Sequence, residues 1–227
     1  MKGVWLLALL PAMAWADNSD SVFMYGDIGY GNIKSSGIDV TDDSGADISG
    51  AIDETLWGAR FGGQKALRPG TLELGWEGGA DIGWTAPDVN YLIRSNGGTV
   101  AAVSVKTDLL IFQTSLGLYG ALNLGPRVRL NVSGGPAFVY GSQASDPVTQ
   151  TVIINGNPVD VQVGGKDTDF RVVGYMHAGL HFKLAEDMWL GAGVGRMSGH
   201  LNFSDTVGQI PLDEWRYGIS FAAPVGL

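Results

Sequence analysis

From Thr71 to Trp84 the chain alternates between two chemistries. Its even positions read Leu72, Leu74, Trp76, Gly78, Ala80, Ile82 and Trp84, and its odd positions Thr71, Glu73, Gly75, Glu77, Gly79, Asp81 and Gly83. Successive side chains of a β-strand point to opposite faces, so this pattern builds a ribbon that is apolar on one face and small and polar on the other. The pattern returns in residues 169–184. There Phe170, Val172, Met176, Ala178, Leu180, Phe182 and Leu184 oppose Asp169, Arg171, Tyr175, His177, His181 and Lys183. No stretch after residue 16 approaches the roughly 20 apolar residues that a membrane helix requires. If the chain crosses a bilayer it does so with strands, which must close on one another to satisfy their backbone groups.

Eight alternating segments can be drawn, near residues 22–33, 54–65, 71–84, 107–122, 127–142, 168–184, 188–199 and 213–223. The connections between them run long, short, long, short, long, short, long, which is the loop rhythm of a bacterial barrel with tight periplasmic turns and extended extracellular loops. Leu67-Arg68-Pro69-Gly70 and Asn123-Leu124-Gly125-Pro126 supply turn chemistry. The long connections are rich in Gly, Asp, Ser and Asn, and are expected to be mobile. Trp57, Trp84, Trp189 and Trp215 fall near strand ends, where an interfacial girdle would sit. The N-terminus adds the export signal: Met1-Lys2, the apolar run Val4–Leu10 and the small-residue site Ala14-Trp15-Ala16 read as a signal peptide cleaved after Ala16. Residues 17–227 then form one domain. A soluble β-sandwich or lipocalin-like barrel also alternates, but the export signal and the outward Leu, Trp and Phe faces weigh against it.

Removing residues 1–16 takes away Lys2 and no acid, leaving 13 Lys and Arg against 23 Asp and Glu, a net charge of −10. That balance, with no basic cluster, excludes nucleic acid as a partner. The absence of cysteine excludes disulfides, thiolate metal sites and a cysteine nucleophile. With these features the chain resembles the small eight-stranded outer-membrane barrels typified by the OmpA transmembrane domain and OmpX. The closing segment Tyr217-Gly218-Ile219-Ser220-Phe221 is similar to the glycine-then-aromatic pattern of a final barrel strand, although the chain ends in Pro224-Val225-Gly226-Leu227 and not in an aromatic. The resemblance implies an all-β, antiparallel, eight-stranded up-and-down transmembrane barrel in the bacterial outer membrane. It also implies contact with lipid, lipopolysaccharide and the barrel assembly machinery, and gives no peptidoglycan-binding domain to carry over.

Parity places Asp27, Glu73, Glu77, Asp81 and Glu214 inside as acids and Arg60, Arg127, Arg129, Arg171 and Arg216 as bases. An eight-stranded barrel has room for side chains but hardly for a channel, so these groups should pair, with Arg60 and Glu77 as the first candidate pair. His177 and His181 face inward four residues apart, roughly 13 Å along a strand, too far to share one metal. No cofactor or metal is expected. At the far rim Ser198, His200 and Asp205 offer the residue types of a lipid hydrolase, but an i,i+2 pair on a strand stands about 7 Å apart, beyond hydrogen-bond reach. The acidic segment Asp39, Asp42, Asp43, Asp47, Asp53 and Glu54 faces only Lys34, and reads as a solvated loop rather than a calcium site. If Leu190, Ala192 and Val194 face out, Arg196 lies on the outer face, where it could meet a lipopolysaccharide phosphate; the opposite parity would return it to the lumen. The functional expectation is a plugged barrel that meets an extracellular ligand through its loops. The alternatives are a lipid-modifying hydrolase and a narrow channel for small solutes.

Overall fold

The structure, a computed structural model, describes residues 21–41, 47–95, 98–204 and 206–226. The signal-peptide segment, Asp42, Asp43 and Asp205 lie outside the described residues. The strands are β1 (Ser21–Lys34), β2 (Ile38–Thr41), β3 (Asp47–Gly50), β4 (Asp53–Arg68), β5 (Leu72–Thr85), β6 (Asp88–Ser95), β7 (Gly98–Leu124), β8 (Val128–Ser145), β9 (Val148–Ile154) and β10 (Asn157–Val163). After them come β11 (Lys166–Ala185), β12 (Met188–Ser198), β13 (His200–Phe203), β14 (Gly208–Pro211) and β15 (Arg216–Gly226). Among the described residues no helix is long and apolar enough to cross a membrane.

Eight of these strands pair antiparallel in the cyclic order β1, β4, β5, β7, β8, β11, β12 and β15, and the ring closes between β15 and β1. They match the eight alternating segments. Ile28, Phe61, Trp76, Leu118, Val132, Val172, Met176, Ile219 and Phe221 are exposed on the outer face, as period two requires of a wall with an apolar exterior. The β7–β8 ladder skips the level of Pro136, which has no N–H to donate. The inner face carries a continuous cross-strand row of glycines, Gly83–Gly58–Gly29–Gly218–Gly193–Gly179, each opposite the next. Small inward residues of this kind make space in a barrel too narrow for a full layer of large side chains.

Two of the sequence boundaries shift with consequences, and one tryptophan leaves the expected girdle. The final strand begins at Arg216, so Glu214 lies before it and is exposed, not inside the lumen. Arg127 sits in the turn before β8 and is likewise exposed; there its carbonyl accepts the Lys183 N–H. Trp189 has inward parity on β12 and packs edge-on against Phe23 and beside Lys183, whereas Trp57, Trp84 and Trp215 are exposed on the outer face.

The long connections are strand-bearing. β6 pairs with the upper part of β7 and with β3, which in turn pairs with β2. β9 and β10 form a hairpin whose Asn155-Gly156 turn has both residues at positive φ, 52° and 83°, the geometry that matches strand twist in a two-residue hairpin. β13 and β14 form another. These hairpins carry their own alternation, and their buried faces converge. Val89, Tyr91, Ile93, Val105, Ile111, Val152, Val161, Leu201, Phe203 and Ile210 belong to one apolar core at this end of the barrel. The expectation of mobile loops therefore gives way to a packed cap.

Candidate functional site

Below the cap the lumen is polar; its middle is filled by side chains, and toward the tight turns it opens into a vestibule of about 450 Å³ lined by Glu73, Asn123, Arg129 and Trp189. Arg60 on β4 stands opposite Asp27 on one neighbour and Asp81 on the other, yet its Nη2 donates to Glu77 Oε1 at 2.6 Å. Glu77 is opposite Gln64, so the pair is diagonal, and the space for it comes from Gly62 and Gly79, which face each other between the two levels. The Glu77 side chain is fully buried and that of Arg60 is 11% exposed. Glu77 also accepts from Gln64 Nε2 at 2.7 Å and Ser133 Oγ at 2.9 Å. The Arg60 guanidinium is sandwiched between the rings of Tyr25 and Tyr175, 5.4 and 5.5 Å from their centroids. This is a charged group taken out of water and given hydrogen bonds and π-faces in return.

A second layer lies closer to the turns. Arg129 Nη1 donates to Glu73 Oε2 at 2.6 Å, its Nη2 donates to Gln64 Oε1 at 3.1 Å, and its guanidinium lies over Phe23 at 4.5 Å. Asn123 Nδ2 donates to Glu73 Oε1 at 2.7 Å. Gln64 thus joins the two layers by donating to Glu77 and accepting from Arg129. Nearer the cap, Arg216 Nη1 meets Asp81 Oδ1 at 3.3 Å and His177 Nε2 faces Asp27 Oδ2 at 3.5 Å. His181 Nε2 is 2.9 Å from Ser220 Oγ, so the two histidines engage separate partners.

The structure therefore brings Asp27, Arg60, Glu73, Glu77, Asp81, Arg129, His177 and Arg216 into the lumen. It leaves out Glu214, Arg127 and Arg171. Arg171 is exposed near the capped end, where its Nε donates to Asp169 Oδ2 at 2.8 Å, and the same oxygen accepts the Asn202 N–H at 2.7 Å. Gln64, Ser133, Asn123 and the four rings Phe23, Tyr25, Tyr119 and Tyr175 were not singled out from sequence. Their inward parity is the sequence signal that marks them, although they carry no charge.

The remaining candidates resolve differently. Ser198 Oγ accepts the Gly174 N–H at 3.1 Å and donates to the Gly174 carbonyl at 3.3 Å, so its hydroxyl is bound to the neighbouring strand and not poised beside a base. Arg196 is on the outer face, but its Nε donates to the Asp213 carbonyl, its Nη2 is 3.4 Å from Asp213 Oδ2, and its guanidinium lies over Trp215. Asp53 pairs with Lys34 at 3.4 Å, both exposed. Among the described residues no group of three or more His, Asp or Glu is placed to hold a metal ion. In the cap, Tyr91 donates to the Thr206 carbonyl at 3.1 Å, and burial pushes its hydroxyl up to about 12.

A family model described as an outer membrane protein beta-barrel domain matches residues 3–214. Comparison with curated protein sequences gives no match. Among solved structures, the chain is similar to the outer membrane protein OprG from Pseudomonas aeruginosa, with a TM-score of 0.50 and 11% identity over 93% of this chain and 99% of that one. It is also similar to Ail, the attachment invasion locus protein of Yersinia pestis, in complex with the heparin analogue sucrose octasulfate (TM-score 0.49, 9% identity, 91% of this chain and 99% of that one). A third similar structure is the outer membrane protease OmpT from Escherichia coli (TM-score 0.44, 8% identity, 90% and 94%).

Proposed function

The chain belongs to the outer membrane protein β-barrel family, and from that premise we propose that it is a plugged barrel of the bacterial outer membrane. In this reading, export and cleavage after Ala16 precede assembly, the tight turns face the periplasm, and the hairpin cap meets an extracellular ligand. Lipid and lipopolysaccharide contact the exposed apolar wall, with Arg196 and Trp215 at its outer-leaflet edge. A lipopolysaccharide phosphate there would exchange with Asp213 for the Arg196 guanidinium.

The observation that carries the proposal is the double closure of the lumen. A permeating ion would have to break the Arg60–Glu77 and Arg129–Glu73 pairs and then cross the apolar core under the cap, where an unpaired charge is strongly disfavoured. This argues against the narrow-channel reading. The engagement of Ser198 with Gly174 argues against the hydrolase reading. A closed barrel with an ordered cap is suited to present a surface.

Planar-bilayer recording tests the proposal. The refolded protein is expected to give no discrete current steps, and reproducible single-channel steps in the wild type would overturn the plugged reading. Epitopes inserted at Asn155–Gly156 should be accessible on intact cells, while those at Gly70 or Gly125 should be reached only after permeabilisation. The reverse result would invert the orientation.

A further inference from the structure

The vestibule at the turn end of the barrel, about 450 Å³ in volume, leaves uncovered what the filled lumen above it hides. Tyr25, Tyr119 and Tyr175 point inward too, but their rings are buried against the Arg60 and Arg129 guanidiniums. Phe23 on β1 and Trp189 on β12 also point inward, edge to face at 5.8 Å, and both remain partly exposed although Arg129 lies over Phe23. Ala66, Pro69, Pro126 and Pro224 add to this apolar lining. Aromatic surface turned away from lipid and left open to water is the unusual feature of this end.

The charged side chains that line it are Glu73, Arg129 and Lys183, two cations against one anion. Glu73 is fully engaged: its Oε2 accepts from Arg129 at 2.6 Å and its Oε1 from Asn123 at 2.7 Å. Lys183 is different. Its ammonium stands 6.0 Å from the centre of the Trp189 ring, makes no ion pair among the described residues, and belongs to a half-buried side chain that water still reaches. Over the whole lumen Lys183 offsets Asp27, but Asp27 faces His177 nearer the cap and takes no part in the vestibule lining. The vestibule thus presents one accessible, unanswered cation beside two partly exposed rings.

We propose that the vestibule binds a small aromatic carboxylate, with its anionic head on Lys183 and its ring against Trp189 and Phe23. A carboxylate is an acceptor without donors, the complement of an ammonium that has only donors, and the hydrogen bond between them is charge-assisted. An aromatic body covers the exposed ring surface and gains edge-to-face or offset contacts that an aliphatic one does not. The volume falls in the range of small-molecule sites, roughly 300–1,000 Å³. A polyphosphate fits less well, because the single unanswered cation matches a single negative charge. This site is separate from the cap and its ligand; only the compartment that supplies the carboxylate, the periplasm, rests on the orientation proposed above.

The test uses the folded barrel in lipid nanodiscs at neutral pH, with the tryptophan indole N–H groups isotopically labelled for NMR. Nanodiscs leave both ends of the barrel open to solvent, so the result does not depend on orientation in the cell. Trp57, Trp76, Trp84 and Trp215 are exposed on the outer face and report partition into lipid, whereas Trp189 points into the vestibule and reports binding there. Benzoate is expected to shift the Trp189 resonance saturably and leave the outer ones in place. Benzyl alcohol keeps the ring without the charge, and acetate keeps the charge without the ring. Each is expected to bind at least about tenfold more weakly. Lys183→Gln keeps the chain and removes the charge, and is expected to weaken benzoate by at least about tenfold, as loss of a charged hydrogen bond does. The comparison of ligands on the wild type keeps the test open if that variant does not fold. No shift at Trp189, joint movement of all the indole resonances, equal binding of benzyl alcohol or acetate, or unchanged affinity in Lys183→Gln would each overturn the proposal.

Discussion

Removing the Glu77 carboxylate should expose how much of the barrel's stability resides in its lumen. Glu77→Ala strips Arg60 of its 2.6 Å partner and leaves Gln64 Nε2 and Ser133 Oγ without their acceptor, all at a level where the Glu77 side chain has no solvent exposure. Breaking a buried ion pair by deleting one partner costs about 3–5 kcal/mol. Two features favour the lower end. The guanidinium keeps its contacts with Tyr25 and Tyr175, and Asp27 and Asp81 stand opposite it on the neighbouring strands, so it can re-pair. We therefore expect a loss of about 3 kcal/mol. Arg60→Met should cost a similar amount, because it strands a buried carboxylate. The double variant, Glu77→Leu with Arg60→Met, should recover at least half of the summed loss, since both desolvation penalties disappear together. Urea unfolding in lipid vesicles, followed by tryptophan fluorescence, gives the three free-energy differences. Additive effects, or full stability in both single variants, would mean that these side chains do not meet and would remove the diagonal register with them.

Other perturbations address the wall and the cap. Tyr91→Phe should abolish an alkaline loosening of the cap: the hydroxyl is raised from the usual 10 to about 12, so its stabilising effect is present below about pH 10 and is lost as pH rises toward 12, read as amide exchange in β6 across that window. Gly117→Ala places a Cβ against the Gly134 carbonyl and the Tyr175 hydroxyl at the β7–β8 closure, and should prevent the heat-modifiable folded band on unheated gels. Gly125→Ala meets nothing within 4 Å and bears only the strain of φ +68°, so it should fold with a loss of about 1–2 kcal/mol. Asp169→Asn weakens the acceptor that holds both Arg171 and the Asn202 N–H, and should speed exchange of the Asn202 amide at least tenfold while the barrel amides stay protected.

The barrel was legible because its wall is governed by one local rule. Period-two alternation fixes which residues face out, and this brought Arg60, Glu77, Asp81 and Arg129 to the correct side without any knowledge of pairing. Partnership was harder to read. Arg60 and Glu77 lie on neighbouring strands, but the register sets them two inward positions apart, and the pair forms because Gly62 and Gly79 leave room for a diagonal. Errors cluster where strands end: Arg127, Arg171 and Glu214 have a parity that says little once the chain leaves the filled part of the lumen, and Trp189 follows its inward parity instead of joining the girdle. The cap was missed although its signals are present. Asn155-Gly156 between two Val- and Ile-rich runs is a strong hairpin mark, and Val89-Asn90-Tyr91-Leu92-Ile93 alternates as the wall strands do. Their content of Gly, Asp and Ser reads as loop, while the alternation beneath that composition is what builds the cap.

The polar and apolar halves of the interior have one physical origin. Within the wall, the apolar side chains are turned outward, so the inward positions must be small or polar, and the polar ones must be paired. Beyond the wall the outer face no longer meets lipid, and the same alternation buries Val, Ile and Leu inward, which closes the cap as a soluble protein closes its core. At the junction Leu56 and Met197 end one regime while Asp27, Asp81 and Arg216 end the other, and the glycine row crosses between them. The junction is built of glycine because neither a large apolar side chain nor an unpaired polar one is stable between the ion pairs and the apolar core.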